Sequence, residues 1–191
     1  MKSVVVERAF DQPRSVDDLH AIARQLRWCT DLYRVAASSW RYLAVDGRRC
    51  ACIYTAPDLE AIRQVLRKSQ SGPPRSLWAT TTHAGPADGE RLAPGFSLVL
   101  VERSFAAPAR WEEFRALQAG HADCFDLHRV RLVRSHLACD GHRMLCVFAA
   151  PDLEAVRLAN RKAGLPCDAV WAATLVPPLV RREPESLAIA V

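Results

Sequence analysis

The sequence is short of several things, and each shortage closes off a class of protein. Its seven cysteines, Cys29, Cys50, Cys52, Cys124, Cys139, Cys146 and Cys167, contain no CxxC pair. An odd, irregularly spaced set is not the framework of a secreted disulfide scaffold, so reduced thiols are expected. Lysine occurs only at Lys2, Lys68 and Lys162, which leaves arginine to carry the formal net charge of +5. Those arginines alternate with acids, as in Asp17, Asp18, Arg24, Arg27 and Glu112, Glu113, Arg115. A nucleic-acid surface would gather its cations into a stripe with aromatics between them, so nucleic acid is not an expected partner. No apolar run approaches the length of a bilayer span and no signal pattern precedes the first β-rich run, so no membrane partner and a cytoplasmic location are expected. Glycine-rich phosphate loops, nucleophile elbows and HExxH are also missing.

What the sequence does have is repetition. Val4-Val-Val-Glu-Arg-Ala-Phe10 recurs as Val99-Leu-Val-Glu-Arg-Ser-Phe105, at an offset of 95 that holds through Cys29 and Cys124. After one residue is lost, Asp46-Gly47 and the following Ala56-Pro-Asp-Leu-Glu-Ala61 match Asp140-Gly141 and Ala150-Pro-Asp-Leu-Glu-Ala155, and a second loss brings Trp78 onto Trp171. Residues 4–83 and 97–176 therefore read as two copies of one unit.

Within each copy a β-rich run is followed by apolar residues at helical spacing, Leu19, Ile22, Leu26, Cys29 or Phe114, Leu117, His121, Cys124. Two β-rich runs then flank Asp-Gly, a dipeptide suited to a tight hairpin. Ala-Pro-Asp-Leu-Glu-Ala opens a second helix, with Pro near its first turn and acids at the positive end of its dipole. A closing strand carries Trp78 or Trp171. The expected fold class is α+β, two tandem ferredoxin-like βαββαβ units packed sheet to sheet as a pseudo-dimeric α+β barrel with a pocket between the sheets. The expected organisation is repeat 1 over 1–83, a linker over 84–96, repeat 2 over 97–176 and a C-terminal extension over 177–191, in which Leu187 to Val191 could add an edge strand or bind a partner chain.

Val-Glu-Arg-x-Phe, the Asp-Gly-x-Arg hairpin, the Ala-Pro-Asp-x-Glu-Ala helix start and Ala163-Gly-Leu-Pro-Cys-Asp-Ala-Val-Trp171 together resemble a small bacterial family of nickel-binding ferredoxin-like proteins known as a domain of unknown function. The second copy resembles it over nearly its whole length. The first does so more loosely, because Ser71-Gly-Pro-Pro-Arg-Ser-Leu-Trp78 departs from Gly-Leu-Pro. The resemblance implies a ferredoxin-like fold, homo-oligomers formed through sheets, and a divalent transition metal, nickel first. It transfers no ligand residues and does not imply an enzyme.

Candidate site residues come from the chain itself. Strand alternation puts Glu7 opposite Arg8 and Phe10, and Glu102 opposite Arg103 and Phe105. If the phenylalanines face the helices, both glutamates face the space between the sheets, where partial desolvation suits an acid, a base or a metal ligand. An ion pair with a neighbouring Arg is the alternative. Trp40 and Tyr42 correspond to Arg134 and His136, so the copies have diverged at matched positions. Glu102 and His136 are the candidate catalytic acid and base, and an edge-strand His in solvent is the bland alternative.

Glu7, Trp40, Tyr42, Arg49, Arg134 and Arg143 are the candidate ligand-binding residues, with Arg49 and Arg143 suited to an anion. His121, Cys124 and His128, at i, i+3 and i+7, are the candidate metal ligands, for nickel, zinc or copper. Cys50 and Cys52 share one face of a strand, matched by Met144 and Cys146, and a sulfur-rich layer against the helices is the favoured reading.

The leading functional expectation is a soluble binding protein for a transition metal or small organic ligand held between the repeats. The alternative is a cofactor-independent isomerase, cyclase or lyase acting on a small hydrophobic substrate. A third is a structural or regulatory partner-binding protein. Because aromatic groups fall in one copy and titratable groups in the other, one site per chain is expected.

Overall fold

The structure is a computed structural model and describes residues 1–69, 72–87 and 91–178, with only the backbone of residue 39. Leu187 to Val191, the candidate edge strand, lie outside the described residues. The N-terminal half runs β1 (Lys2–Ala9), α1 (Val16–Leu32), β2 (Ala36–Ala44), β3 (Arg49–Ala56), α2 (Leu59–Lys68) and β4 (Ser76–Ala84). The C-terminal half runs β5 (Ser97–Ser104), α3 (Trp111–Gly120), α4 (Ala122–Leu127), β6 (Arg131–Ala138), β7 (Arg143–Ala150), α5 (Leu153–Lys162) and β8 (Ala169–Leu175). This is a mixed α+β fold. Among the described residues, no helix is long and apolar enough to cross a membrane.

The strands form one closed barrel in the order β1-β3-β2-β8-β5-β7-β6-β4. Each half contributes four neighbouring antiparallel strands, and the halves join edge to edge. Tyr42, Leu43 and Ala44 of β2 pair with Leu175, Thr174 and Ala173 of β8. Thr80 to Ala84 of β4 pair with Ala138 to Arg134 of β6. The halves are thus hydrogen-bonded edge to edge into one ring, which leaves no strand edge of the eight unpaired.

Alternation then sorts side chains between lumen and helices. Val5, Tyr42, Ile53, Trp78, Leu100, Leu145 and Trp171 fill the lumen. On the outside, Val4, Val6, Leu26, Cys29 and Ile62 join β1 to α1 and α2, while Val99, Phe114, Phe125, Phe148 and Val156 join the C-terminal strands to α3, α4 and α5. Phe10 and Phe105 pack on this helical side. Described residues between β4 and β5 are anchored as well. The Gly85 and Ala87 amides donate to Val133 and Leu132 carbonyls, and Ala87, Leu92 and Phe96 pack against the lumen core.

Local chemistry sets the element ends. Ser15 caps α1 in a reciprocal capping box with Asp18. In the Ala-Pro-Asp-Leu-Glu-Ala strings the cap is the aspartate: Asp58 accepts from the Ala61 amide at 2.8 Å and Asp152 from the Ala155 amide at 2.7 Å, so each proline precedes its helix. At the hairpins only the glycines adopt positive φ, +67° at Gly47 and +75° at Gly141. Asp46 and Asp140 instead accept from the amides two residues on, at 2.9 and 3.0 Å.

A Cβ on Gly47 would lie 2.6 Å from the Arg14 carbonyl oxygen, and one on Gly141 would lie 2.9 Å from that of Ala109. Gly47→Ala and Gly141→Ala are each expected to destabilise the fold by about 1–3 kcal/mol, from positive φ and backbone contact together. Chemical denaturation checks this; a loss under ~0.5 kcal/mol at both would contradict it.

Candidate functional site

Parity places Glu7 on the lumen side of β1 with Val5, and Glu102 on the lumen side of β5 with Leu100. Both stand where their strands end, so they form the rim of one barrel mouth. A cavity of about 340 Å³ opens there, walled by Glu7, Arg75, Ser76 and Trp78 from one half and by Glu102, Arg143 and Asp168 from the other.

The two halves of this rim are not equivalent. Glu102 accepts from the indole Nε1 of Trp171 at 3.0 Å and from Arg49 and Arg75 at 3.5 Å each. The Arg49 guanidinium also lies over the Trp171 ring, 5.7 Å from its centre. Glu7 is bonded instead by the Ser76 hydroxyl, which also accepts from Arg143 at 3.3 Å. Trp78, the counterpart of Trp171, has its Nε1 buried without a hydrogen-bond partner.

The register gives the reason. Glu7 pairs with Ser76 and Glu102 with Ala169, so only the first glutamate has a hydroxyl beside it. One Glu–Trp pair is closed and the other is open. Arg75, Ser76, Trp78, Asp168 and Trp171 were not among the sequence candidates. The aligned swap of Arg75-Ser76 for Asp168-Ala169 was the available signal.

Arg49 and Arg143 reach this mouth with Glu7, whereas Trp40, Tyr42 and Arg134 meet inside the lumen. The Arg134 guanidinium stacks on Trp40 at 3.6 Å from the ring centre, and its Nη1 donates to the Tyr42 hydroxyl at 3.4 Å. Stacking and hydrogen bonding hold this half-buried charge. His136 lies beside them with none of its surface exposed, 6.1 Å from Trp40 ring to ring, its Nδ1 3.0 Å from the Thr82 hydroxyl and its Nε2 without a partner. β6 is bonded on both sides, to β4 and β7, so His136 is not on a solvent-facing edge.

The candidate acid–base pair does not meet. Glu102 and His136 each pair with Leu145 from opposite sides, so they share a face but lie two strand spacings apart, about 9.6 Å. Burial, then Arg134 and His83, push His136 down to about 3, so it stays neutral near pH 7. In the unfolded chain an ordinary imidazole titrates near 6.5. Between these values the unfolded state holds the extra proton, so the stability His136 contributes is present above pH ~6.5 and is lost as pH falls toward 3. The wild type should lose about 2 kcal/mol more than His136→Gln between pH 7.5 and pH 5. Parallel denaturation curves at the two pH values check this; equal losses would contradict it.

The metal triplet is not assembled. Its spacing assumed one continuous helix, but the helix breaks at His121 (φ −119°, ψ 26°), which ends α3 and precedes α4. His121 Nδ1 lies 2.9 Å from the Leu117 carbonyl oxygen, Cys124 packs against the helical-side core, and His128 caps α4 with its Nε2 buried and unpartnered. Among the described residues, no group of three or more His, Cys, Asp or Glu side chains is placed to hold a metal ion. All seven cysteines are free thiols, and Cys50, Cys52 and Cys146 lie in the helical-side cores. The Cys50 hydrogen bond, followed by Arg8 and Arg41, pulls the Cys52 thiol down against its burial.

Fold and site together define a closed eight-stranded α+β barrel with an asymmetric polar mouth. A family model described as "Nickel responsive protein SCO4226-like" matches residues 100–172, within the C-terminal half. No curated protein matches the chain. Among solved structures, a mutant chlorite dismutase from Candidatus Nitrospira defluvii is similar, with TM-score 0.50 and 11% identity, covering 92% of this chain and 90% of that one. A putative monooxygenase from Lactobacillus acidophilus gives TM-score 0.44 and 7% identity over 91% of this chain and 94% of that one. Another from Fusobacterium nucleatum gives TM-score 0.46 and 7% identity over 91% of each. At 11% identity, the chlorite dismutase likeness bears on the fold alone.

The described residues within 100–172 do not fit a nickel site, since they gather no such donor group. Tag-free protein dialysed against nickel is therefore expected to retain well under one ion per chain, with His121→Ala and His128→Ala indistinguishable from wild type. Stoichiometric nickel lost in either variant would overturn this.

Proposed function

We propose that the chain is a binding protein for a small polar organic molecule, held at the barrel mouth between its two halves. The observation that carries this reading is the open Glu7/Trp78 pair beside the closed Glu102/Trp171 pair. A buried donor without a partner costs about 1–3 kcal/mol, and a ligand acceptor at the Trp78 Nε1 would remove that cost. Among the described residues the Arg143 side chain donates to the Ser76 hydroxyl, and it lines the same cavity as Trp78. The cavity of about 340 Å³ suits a small molecule, and walls drawn from both halves fit one site per chain.

The acid–base alternative is less well supported, because Glu102 is engaged by Trp171, Arg49 and Arg75 and lies well beyond hydrogen-bond reach of His136.

Ligand-observed NMR against a panel of small carboxylates, amines, amino acids and alcohols tests the proposal. At least one class should bind saturably, about tenfold more weakly to Trp78→Phe, as expected for loss of one hydrogen bond to a charged acceptor. Ser76→Ala copies the C-terminal arrangement and should let Trp78 bond Glu7. It is expected to raise Tm by about 2–4 °C while weakening binding. No saturable binder, or binding unchanged in both variants, would refute the proposal.

A further inference from the structure

We infer that the ligand of this mouth is a zwitterion, with an ammonium group for Glu7 and a carboxylate for Trp78 and Arg143; the inference rests on the binding reading just given. The charges lining the cavity carry it. Glu7, Glu102 and Asp168 stand against Arg75, Arg103 and Arg143, an apparent balance. Two of the three cations are already engaged.

Arg103 is buried on the helical side, bonded to Asn160 Oδ1 at 2.6 Å and to the Pro166 carbonyl, with its guanidinium over Phe114. Arg75 is spent on Glu102, which Arg49 reaches too. That leaves Arg143 lining the cavity with Glu7 and Asp168, and among the described residues neither of these carboxylates is in an ion pair.

A plain organic anion would meet the unpaired carboxylates of Glu7 and Asp168, and a plain cation would meet Arg143 and leave the Trp78 donor unsatisfied. A molecule carrying both charges answers both. Among the described residues the Glu7 side chain accepts one hydrogen bond, from the Ser76 hydroxyl, whereas a carboxylate has about four acceptor sites and an ammonium three donors. The carboxylate end falls to the Trp78 Nε1–H and the Arg143 guanidinium, a neutral donor and a charged one on residues that line the same cavity. The pair is polarised across the mouth, and the polarity comes from Ser76, which occupies Glu7 on one side and Arg143 on the other.

Isothermal titration calorimetry on the full chain tests this with glycine, 4-aminobutanoate and 5-aminopentanoate, each beside its matched carboxylate and amine. At one chain length the zwitterion should bind at least about tenfold tighter than either matched probe. Glu7→Gln should erase that advantage while leaving the matched carboxylate no weaker, and Trp78→Phe should weaken both carboxylate-bearing probes. Melting curves of each variant confirm that it folds. If a plain carboxylate binds as tightly as its amino acid and still weakens in Trp78→Phe, the zwitterion is overturned and the binding reading stands. If no probe binds, both fall.

Discussion

Closure of the strand ring is the constraint on which the rest of this molecule depends. Two separate four-stranded sheets would present four edges, each an unpaired row of backbone donors and acceptors. Joining β2 to β8 and β4 to β6 removes all of them within one chain. An eight-stranded ring has an interior just wide enough to be filled by side chains. Tyr42, Trp78, Leu100, Leu145 and Trp171 fill it. A solute is therefore offered the ends of the barrel, where Glu7 and Glu102 stand at the rim.

The same closure decides which residues of the two halves meet. β2 and β6 stand on opposite sides of the ring, four places apart in the strand order, so Trp40 and Tyr42 face Arg134 and His136 across the lumen. The sequence alignment puts these residues at matched positions. Identical halves would have set two guanidiniums, or two indoles, against each other near the barrel axis. The residues present make an attractive pair instead, Arg134 on Trp40. The neutral His136 beside it adds no second charge to the buried interior, because burial and Arg134 keep it unprotonated.

Much of the barrel was legible because its signals are local. Asp-Gly marked both hairpins, and the alternation in Val-Glu-Arg-x-Phe placed Glu7 and Glu102 on the lumen side and the phenylalanines under the helices. The metal triplet failed for a reason also written in the sequence, though faintly. Gly120 stands where the N-terminal half has Gln25, and glycine weakens a helix interior. α1 runs unbroken from Val16 to Leu32, but its counterpart stops at Gly120 and restarts at Ala122. The mouth was less legible. Arg75-Ser76 and Asp168-Ala169 are visible as a swap, but only the closed ring carries Arg75 across to Glu102 and Arg143 across to Ser76.

The asymmetry of the mouth turns on a single hydroxyl. Trp171 shows that an indole at this position can satisfy itself on the glutamate of the neighbouring strand, at 3.0 Å. The N-terminal half contains both partners, Trp78 and Glu7, and is kept from that arrangement by one hydroxyl, that of Ser76. A buried unsatisfied donor costs about 1–3 kcal/mol, a sizeable share of a net stability of ~5–15 kcal/mol. A single Ser-to-Ala change would remove it, and the other half already carries that alanine. Trp78, Arg143 and Glu7 all line the same small cavity, so this one hydroxyl sets how the N-terminal side of the mouth is bonded.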